Sequence, residues 1–195
     1  MITFVVAVFL LIITPGPGVL STAGVGAGFG FKAGLPYVLG LFLGTNIVAI
    51  GVISGLAAIM LSVPAIRWFL MGASLLYLIY LAARIAFAGS EIAFVAATAA
   101  PGVMAGVMLQ VINPKAYVVN TSLFTGFPFA PENLLFETIT KLLLVNTIWI
   151  PIHLMWLWAG ASVHRLNLSD AVQRRINYAM AMSMLLVVAL ALVAA

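Results

Sequence analysis

The feature that most constrains this chain is a series of apolar runs, each long enough to cross a membrane. The runs VVAVFLLII at 5–13 and MLLVVALALV at 184–193 are apolar at every position. Strands of a membrane barrel would alternate polar and apolar residues, whereas a membrane helix satisfies its own backbone and needs no alternation. Only 6% of the residues are charged, compared with about 25% in a soluble domain. The sequence therefore predicts an all-α integral membrane protein.

Six membrane spans are predicted, because about 20 apolar residues cross the hydrocarbon layer as a helix. They fall at residues 2–29, 37–61, 66–88, 102–127, 134–159 and 176–193. No basic residue precedes the first run, and no short apolar region ends in a cleavage site. This run is therefore interpreted as a retained helix rather than a signal peptide. No long linker separates the spans, so we expect one transmembrane domain over 1–195.

The distribution of basic residues predicts how the chain is oriented in the membrane. The first, third and fifth loops hold Lys32, Arg84, Arg165, Arg174 and Arg175, and the second and fourth hold Arg67 and Lys141. Cytoplasmic loops are enriched in Lys and Arg. We therefore expect both termini to lie outside the cytoplasm.

Several function classes lack their sequence signatures. The chain has no cysteine, which excludes thiolate metal sites and disulfides. It has no nucleotide-binding loop, zinc-protease motif or serine-hydrolase motif, so neither an enzyme nor a cofactor is expected. The net charge of +4 is too small and too scattered to indicate binding of nucleic acid.

The first span is interrupted by TPGPG at 14–18. A proline lacks an amide hydrogen and blocks the carbonyl four residues earlier, so Pro15 and Pro17 are expected to leave the carbonyls of Leu11 and Ile13 unpaired. Within a membrane, such carbonyls are tolerated only against protein or a hydrated cavity. Two prolines with two glycines therefore predict a discontinuous helix.

The fourth span is interrupted by QVINPKA at 110–116. Pro114 is expected to free the carbonyl of Gln110, with Asn113 and Lys115 beside it. A lysine at this depth costs about 3 kcal/mol on insertion scales, so a functional role is the default interpretation. The alternative is a lysine that reaches the membrane surface or is paired within the bundle.

The two breaks occupy matching places in the two halves of the chain. Pro15 and Pro114 are 99 residues apart, and Asn46 and Asn146 are 100 residues apart. A repeat of three spans is odd, so the second copy must be inverted in the membrane. Many secondary transporters follow this plan, and their interrupted helices mark a binding site at the midplane. Repeat 1 is placed at about 1–90 and repeat 2 at about 91–195.

The chemistry of two broken helices predicts the class of ligand. A helix start favours a carboxylate, and unpaired carbonyls accept from an ammonium group, so a small zwitterion such as an amino acid matches both. Lys115 with Asn113 is expected to orient the carboxylate, and Asn46 and Asn146 to line the cavity. The predicted substrate-binding residues are Pro15, Gly16, Pro17, Asn46, Asn113, Pro114, Lys115 and Asn146.

The carrier of a coupling proton is not fixed by the sequence. No acidic residue is expected within a membrane span, so a proton would be carried by Lys115, His153 or the substrate itself. An unperturbed histidine changes its charge near neutral pH, which makes His153 a candidate carrier. The alternative is a hydrogen-bonded core histidine.

Three motifs together resemble the lysine exporter (LysE/RhtB) family of bacterial amino acid efflux proteins: TPGPG, GFKAGLPYVLGLFLG and QVINPKA. The residues that match the family pattern are Pro15, Gly16 and Pro17, then Gly34, Gly40 and Gly44, and then Asn113, Pro114 and Lys115. The resemblance implies six helices, the inner membrane, and export of amino acids driven by proton antiport. Gly18 departs from the pattern, because many relatives have Asn or Asp at that place.

Other interpretations stay open at this stage. The glycine pairs four residues apart, such as Gly40 and Gly44, are typical of close helix packing, which is interpreted as packing within the chain; a homo-oligomer is the alternative. Amino acid export has two alternatives. The chain could be a metal-ion or other small-solute exporter, or a non-transporting membrane scaffold subunit. The sequence does not identify which solute is carried.

Overall fold

The computed structural model describes residues 1–14, 16–55, 62–86 and 99–165, together with residues 171, 172, 174, 175, 178, 179, 182 and 185. This part of the chain is helical and contains no strand. Its helices are α1 Ile2–Ile13, α2 Pro17–Phe29, α3 Phe31–Ile53, α4 Pro64–Ala86, α5 Val103–Ile112, α6 Pro114–Thr125 and α7 Leu134–Arg165. The predicted all-helical class is confirmed.

Within the described ranges, two helices are long and apolar enough to cross a membrane. They are α3 and the Leu134–Ser162 part of α7. The pair formed by α1 and α2, which meet at an angle of 52°, would be a third span if counted as one. Most of the predicted span at 176–193 lies outside the described residues.

The starts of α2 and α6 follow from their sequences. Each helix has proline as its first residue, a position where the missing amide hydrogen costs nothing because no helical partner exists for it. Gly16 precedes α2 in an extended conformation with φ −167°. Asn113 precedes α6, and its side chain accepts a hydrogen bond from the Lys115 amide at 3.1 Å, as asparagine does at helix starts.

Two close helix contacts hold the bundle together. The most extensive packing joins α2 to α7 and α3 to α5. At Gly160 of α7, a Cβ atom would lie 2.8 Å from the Ala23 carbonyl carbon of α2. At Gly40 of α3, it would lie 2.8 Å from the Val103 carbonyl carbon and 3.0 Å from Gly106 Cα of α5. Such backbone approaches require residues without side chains.

The core cluster and much of the exposed surface are both apolar. All seven described helices contribute buried side chains to the main apolar core, among them Phe4, Tyr37, Leu109 and Leu157. Exposed apolar side chains recur every three to four residues along α3, at Leu35, Leu39, Leu43, Ile47 and Ile50. A stripe of this kind is suited to contact with the lipid bilayer rather than water.

One sequence prediction is wrong at the start of α7. Lys141 was expected in a loop, but it lies within α7 and is only 2% exposed. Glu137, one helical turn earlier, pairs with it at 2.8 Å and is buried as well. The same carboxylate accepts hydrogen bonds from the Phe129 and Ala130 amides. An acidic residue is therefore buried in a span. Lys141 also does not belong among the loop charges from which the orientation of the chain was predicted. The orientation in the membrane stays a prediction.

Candidate functional site

A cavity of about 60 Å³ lies where the α1–α2 and α5–α6 junctions approach each other. Residues from both junctions and from α3 and α7 surround it. The lining consists of Leu11, Ile12, Thr14, Gly16, Gly18, Val19, Thr45, Gln110, Asn113, Lys115, Ala116, Val119, Asn120, Leu123, Val145, Trp149 and His153. The two sequence motifs with proline thus share one cavity in the fold.

Lys115 connects the second junction to the first. Its Nζ donates a hydrogen bond to the Thr14 carbonyl oxygen at 2.7 Å. A Cβ atom at Gly16 would lie 2.7 Å from Lys115 Cδ and 2.9 Å from Nζ. The absence of a side chain at Gly16 therefore makes room for the lysine, a role that the sequence motif alone did not indicate.

Asn113 holds the second junction in place with both ends of its amide. Its Oδ1 accepts from the Lys115 backbone amide, and its Nδ2 donates to Gln110 Oε1 at 3.1 Å. Its own backbone amide donates to the Gln110 carbonyl at 3.2 Å. The prediction that Pro114 leaves this carbonyl unpaired is wrong, because the last turn of α5 tightens to a three-residue hydrogen bond.

Asn46 and Asn146 contact each other rather than the cavity. Asn46 Nδ2 donates to Asn146 Oδ1 at 3.1 Å, and Asn146 Nδ2 donates to Asn46 Oδ1 at 2.9 Å. Neither residue is part of the lining, although the adjacent Thr45 and Val145 are. The two asparagines therefore join α3 to α7 directly.

The structure describes two of the three prolines that were predicted to bind the substrate. Pro17 is buried at the start of α2 and Pro114 is exposed at the start of α6, and neither lines the cavity. Pro15 lies outside the described residues. The prolines therefore set where helices begin, and the lining comes from their neighbours.

His153 is buried in the wall formed by α7. Its Nδ1 lies 3.0 Å from the Trp149 carbonyl oxygen, and its ring stacks on that of Trp149 with centroids 3.5 Å apart. A carbonyl oxygen only accepts, so Nδ1 carries the hydrogen in this bond. Nε2 of the neutral ring is then an acceptor, and it lies 3.5 Å from where a Cβ at Gly18 would be.

The charge around the cavity is positive. Lys115 is the one ionised side chain among its described lining residues. The starts of α2 and α6, at Pro17 and Pro114, lie beside the same space, and each helix start carries a partial positive charge. The arrangement favours a carboxylate or another small anion group at this position.

Sequence reasoning missed several lining residues as binding candidates, chiefly Gln110, Thr45, Asn120 and Trp149. Val145, Trp149 and His153 follow one another at four-residue intervals, which places them on one face of α7. That spacing was a usable signal. Which face of α7 meets the broken helices could be learned only from the packing.

Comparison with known proteins identifies the family of this chain. A family model described as "LysE type translocator" matches residues 9–195. A leucine efflux protein of Enterobacter sp. (strain 638) is 27% identical over 130 residues, which cover 64% of this chain and 62% of that protein. The matched region thus spans less than two thirds of that relative. No solved structure matches the chain.

Proposed function

This chain belongs to the LysE type translocator family, and from that premise we propose that it is a secondary transporter that exports amino acids, or similar small zwitterions, across the bacterial inner membrane. The observation that carries the proposal is the cavity between the two helix junctions, where Lys115 and the starts of α2 and α6 surround one small space. The similar leucine efflux protein supports an amino acid as the cargo.

The cavity suits a cargo of this size and polarity. At about 60 Å³ it has room for about four to six water-sized groups, which is the scale of a small amino acid. Lys115 would hold the carboxylate. Leu11, Ile12, Val119 and Leu123 supply an aliphatic wall for an apolar side chain.

An inverted repeat is supported by contacts between equivalent positions. Gly16 and Lys115, 99 residues apart, touch each other, and Asn46 and Asn146, 100 residues apart, exchange hydrogen bonds. Two equivalent positions related by a two-fold axis can touch only near that axis. Both contacts are therefore expected if repeat 1 and repeat 2 are related by an axis through the cavity.

Alternating access is supported by a difference between equivalent helix contacts. In an inverted repeat, α2–α7 corresponds to α3–α6, and α3–α5 corresponds to α1–α7. The first member of each pair packs far more extensively than the second. One side of the cavity is thus sealed by glycine contacts, and with the termini outside as predicted, that side faces the cytoplasm. Exchange of the two packings would open the cavity to the cytoplasm and close it on the opposite side.

Two experiments test the proposed function. Cells that express the protein should grow in inhibitory concentrations of an amino acid that it exports. Lys115→Ala should abolish this resistance. Lys32→Ala, which replaces an exposed lysine, should keep it. A scaffold subunit would give no resistance in either case. For proton antiport, an ionophore that collapses the pH gradient should stop efflux from vesicles; unchanged efflux would exclude this coupling.

A further inference from the structure

We propose that His153 and Gly18 form a second polar subsite in the cavity, where His153 Nε2 accepts from the α-ammonium group of the cargo, while Lys115 and Gln110 bind its carboxylate. This inference rests on the proposed function, because it takes a small zwitterion as the cargo. It goes further by assigning the two ends of the zwitterion to different residues. It also explains why position 18 carries no side chain.

The orientation of the Gln110 amide is fixed by a chain of hydrogen bonds. The Lys115 backbone amide can only donate, so the Asn113 atom that it contacts is the acceptor Oδ1. Asn113 Nδ2 is then the donor to Gln110, whose contacting atom is Oε1. Gln110 Nε2 consequently points the other way and lies 3.5 Å from where a Cβ at Gly18 would be.

His153 places a hydrogen-bond acceptor beside Gly18, next to Gln110 Nε2. The Trp149 carbonyl fixes the hydrogen on His153 Nδ1, which leaves Nε2 as an acceptor facing Gly18 at the same 3.5 Å. Gln110 is 4% exposed and His153 is 3% exposed. Among the described residues, neither Gln110 Nε2 nor His153 Nε2 has a hydrogen-bond partner. Two largely buried side chains therefore present polar atoms of opposite type to the cavity, beside a residue without a side chain.

The two subsites lie beside neighbouring positions of the α1–α2 junction. Lys115 Nζ lies beside Gly16, and His153 Nε2 lies beside Gly18, two residues further along the chain. All four residues line the same cavity, so one small zwitterion would contact both nitrogens. His153 Nε2 would accept from the ammonium, and Gln110 Nε2 would donate to the near carboxylate oxygen.

Gly18 is the residue that keeps this subsite accessible. A Cβ there would be in ordinary van der Waals contact with both nitrogens, so the fold tolerates it. The added methyl group would nevertheless occupy the place of the ammonium. Gly18→Ala should therefore block binding without unfolding the protein.

A matched pair of substitutions at His153 tests the assignment. In His153→Gln the side-chain amide reaches the position of Nε2, whereas in His153→Asn it reaches only that of Nδ1. Both variants lose the stacking on Trp149, so this loss is shared. Labelled leucine binding to the purified protein should stay within a few fold of wild type for His153→Gln and weaken about tenfold or more for His153→Asn. Wild type should bind N-acetyl-leucine, which has no ammonium group, at least tenfold more weakly than leucine, and His153→Asn should lose this preference.

Gly18→Ala keeps the test informative if both histidine variants fail to fold. It should weaken leucine binding at least tenfold with a melting temperature near that of Gly51→Ala, a glycine with open space around it. Equal binding by His153→Gln and His153→Asn, or wild-type binding by Gly18→Ala, would overturn the subsite alone. If the wild-type protein bound none of a panel of proteinogenic amino acids, the proposed function and the subsite would both be overturned.

Discussion

The close contact between α3 and α5 makes a sharp prediction about Gly40. An added Cβ would lie 2.8 Å from the Val103 carbonyl carbon and 3.0 Å from Gly106 Cα, whereas ordinary contacts begin near 3.4 Å. These neighbours are backbone atoms that no rotamer change can move. Gly40→Ala therefore forces the two helices apart.

The size of the effect follows from comparison with Gly51, which lies in the same helix with nothing within 4 Å of an added Cβ. Both substitutions gain about 1 kcal/mol of helix propensity. Only Gly40→Ala has the cost of overpacking, typically about 1–3 kcal/mol. For a chain of this length 1 kcal/mol corresponds to about 2–4 °C, so Gly40→Ala should melt roughly 2–12 °C below Gly51→Ala.

Thermal unfolding of the two purified variants in the same detergent measures this difference. Because the helix-propensity gain is common to both, it cancels in the comparison. Equal melting temperatures would refute the reasoning, since they would mean that α3 and α5 do not approach this closely.

Three further substitutions have defined outcomes. Gly16→Ala should displace the Lys115 side chain, which lies within 3 Å of the added Cβ. Amino acid efflux should then fall sharply, with little change in melting temperature. Full efflux would contradict the placement of the lysine. Asn46→Leu and Asn146→Leu should each remove both hydrogen bonds between these side chains, at about 1–3 kcal/mol, although Asn46 also donates to the Phe42 carbonyl. The double variant should lose less than the sum, and additive losses in a double-mutant cycle would contradict the pairing. Glu137→Gln should lower the melting temperature because its buried lysine partner loses its counter-charge, and an unchanged value would count against the ion pair.

The sequence predicted the helical class because apolar periodicity and the scarcity of charge are local properties. It also indicated the starts of α2 and α6, since proline and asparagine have strong preferences at helix starts. The offset of 99 to 100 residues linked Asn46 to Asn146 before any contact was known. The offset could not show that these two amides satisfy each other, because that depends on how α3 and α7 cross.

The buried charges were harder to predict. Lys141 and Glu137 are four residues apart, a spacing that supports pairing on a helix, but charge counting treated the lysine as a loop residue. Burial depends on the 126–133 segment, whose Phe129 and Ala130 amides fold back onto Glu137. That contact is tertiary and leaves no periodic trace in the sequence.

The central claim is that an amino acid crosses the membrane through the cavity at Lys115. The most direct test is efflux, from proteoliposomes, of whichever labelled amino acid in a panel the wild-type protein binds. Wild-type protein and Lys32→Ala should release the label at equal rates under an imposed pH gradient, and Lys115→Ala should release it no faster than empty liposomes. Efflux by Lys115→Ala at the wild-type rate would contradict the account.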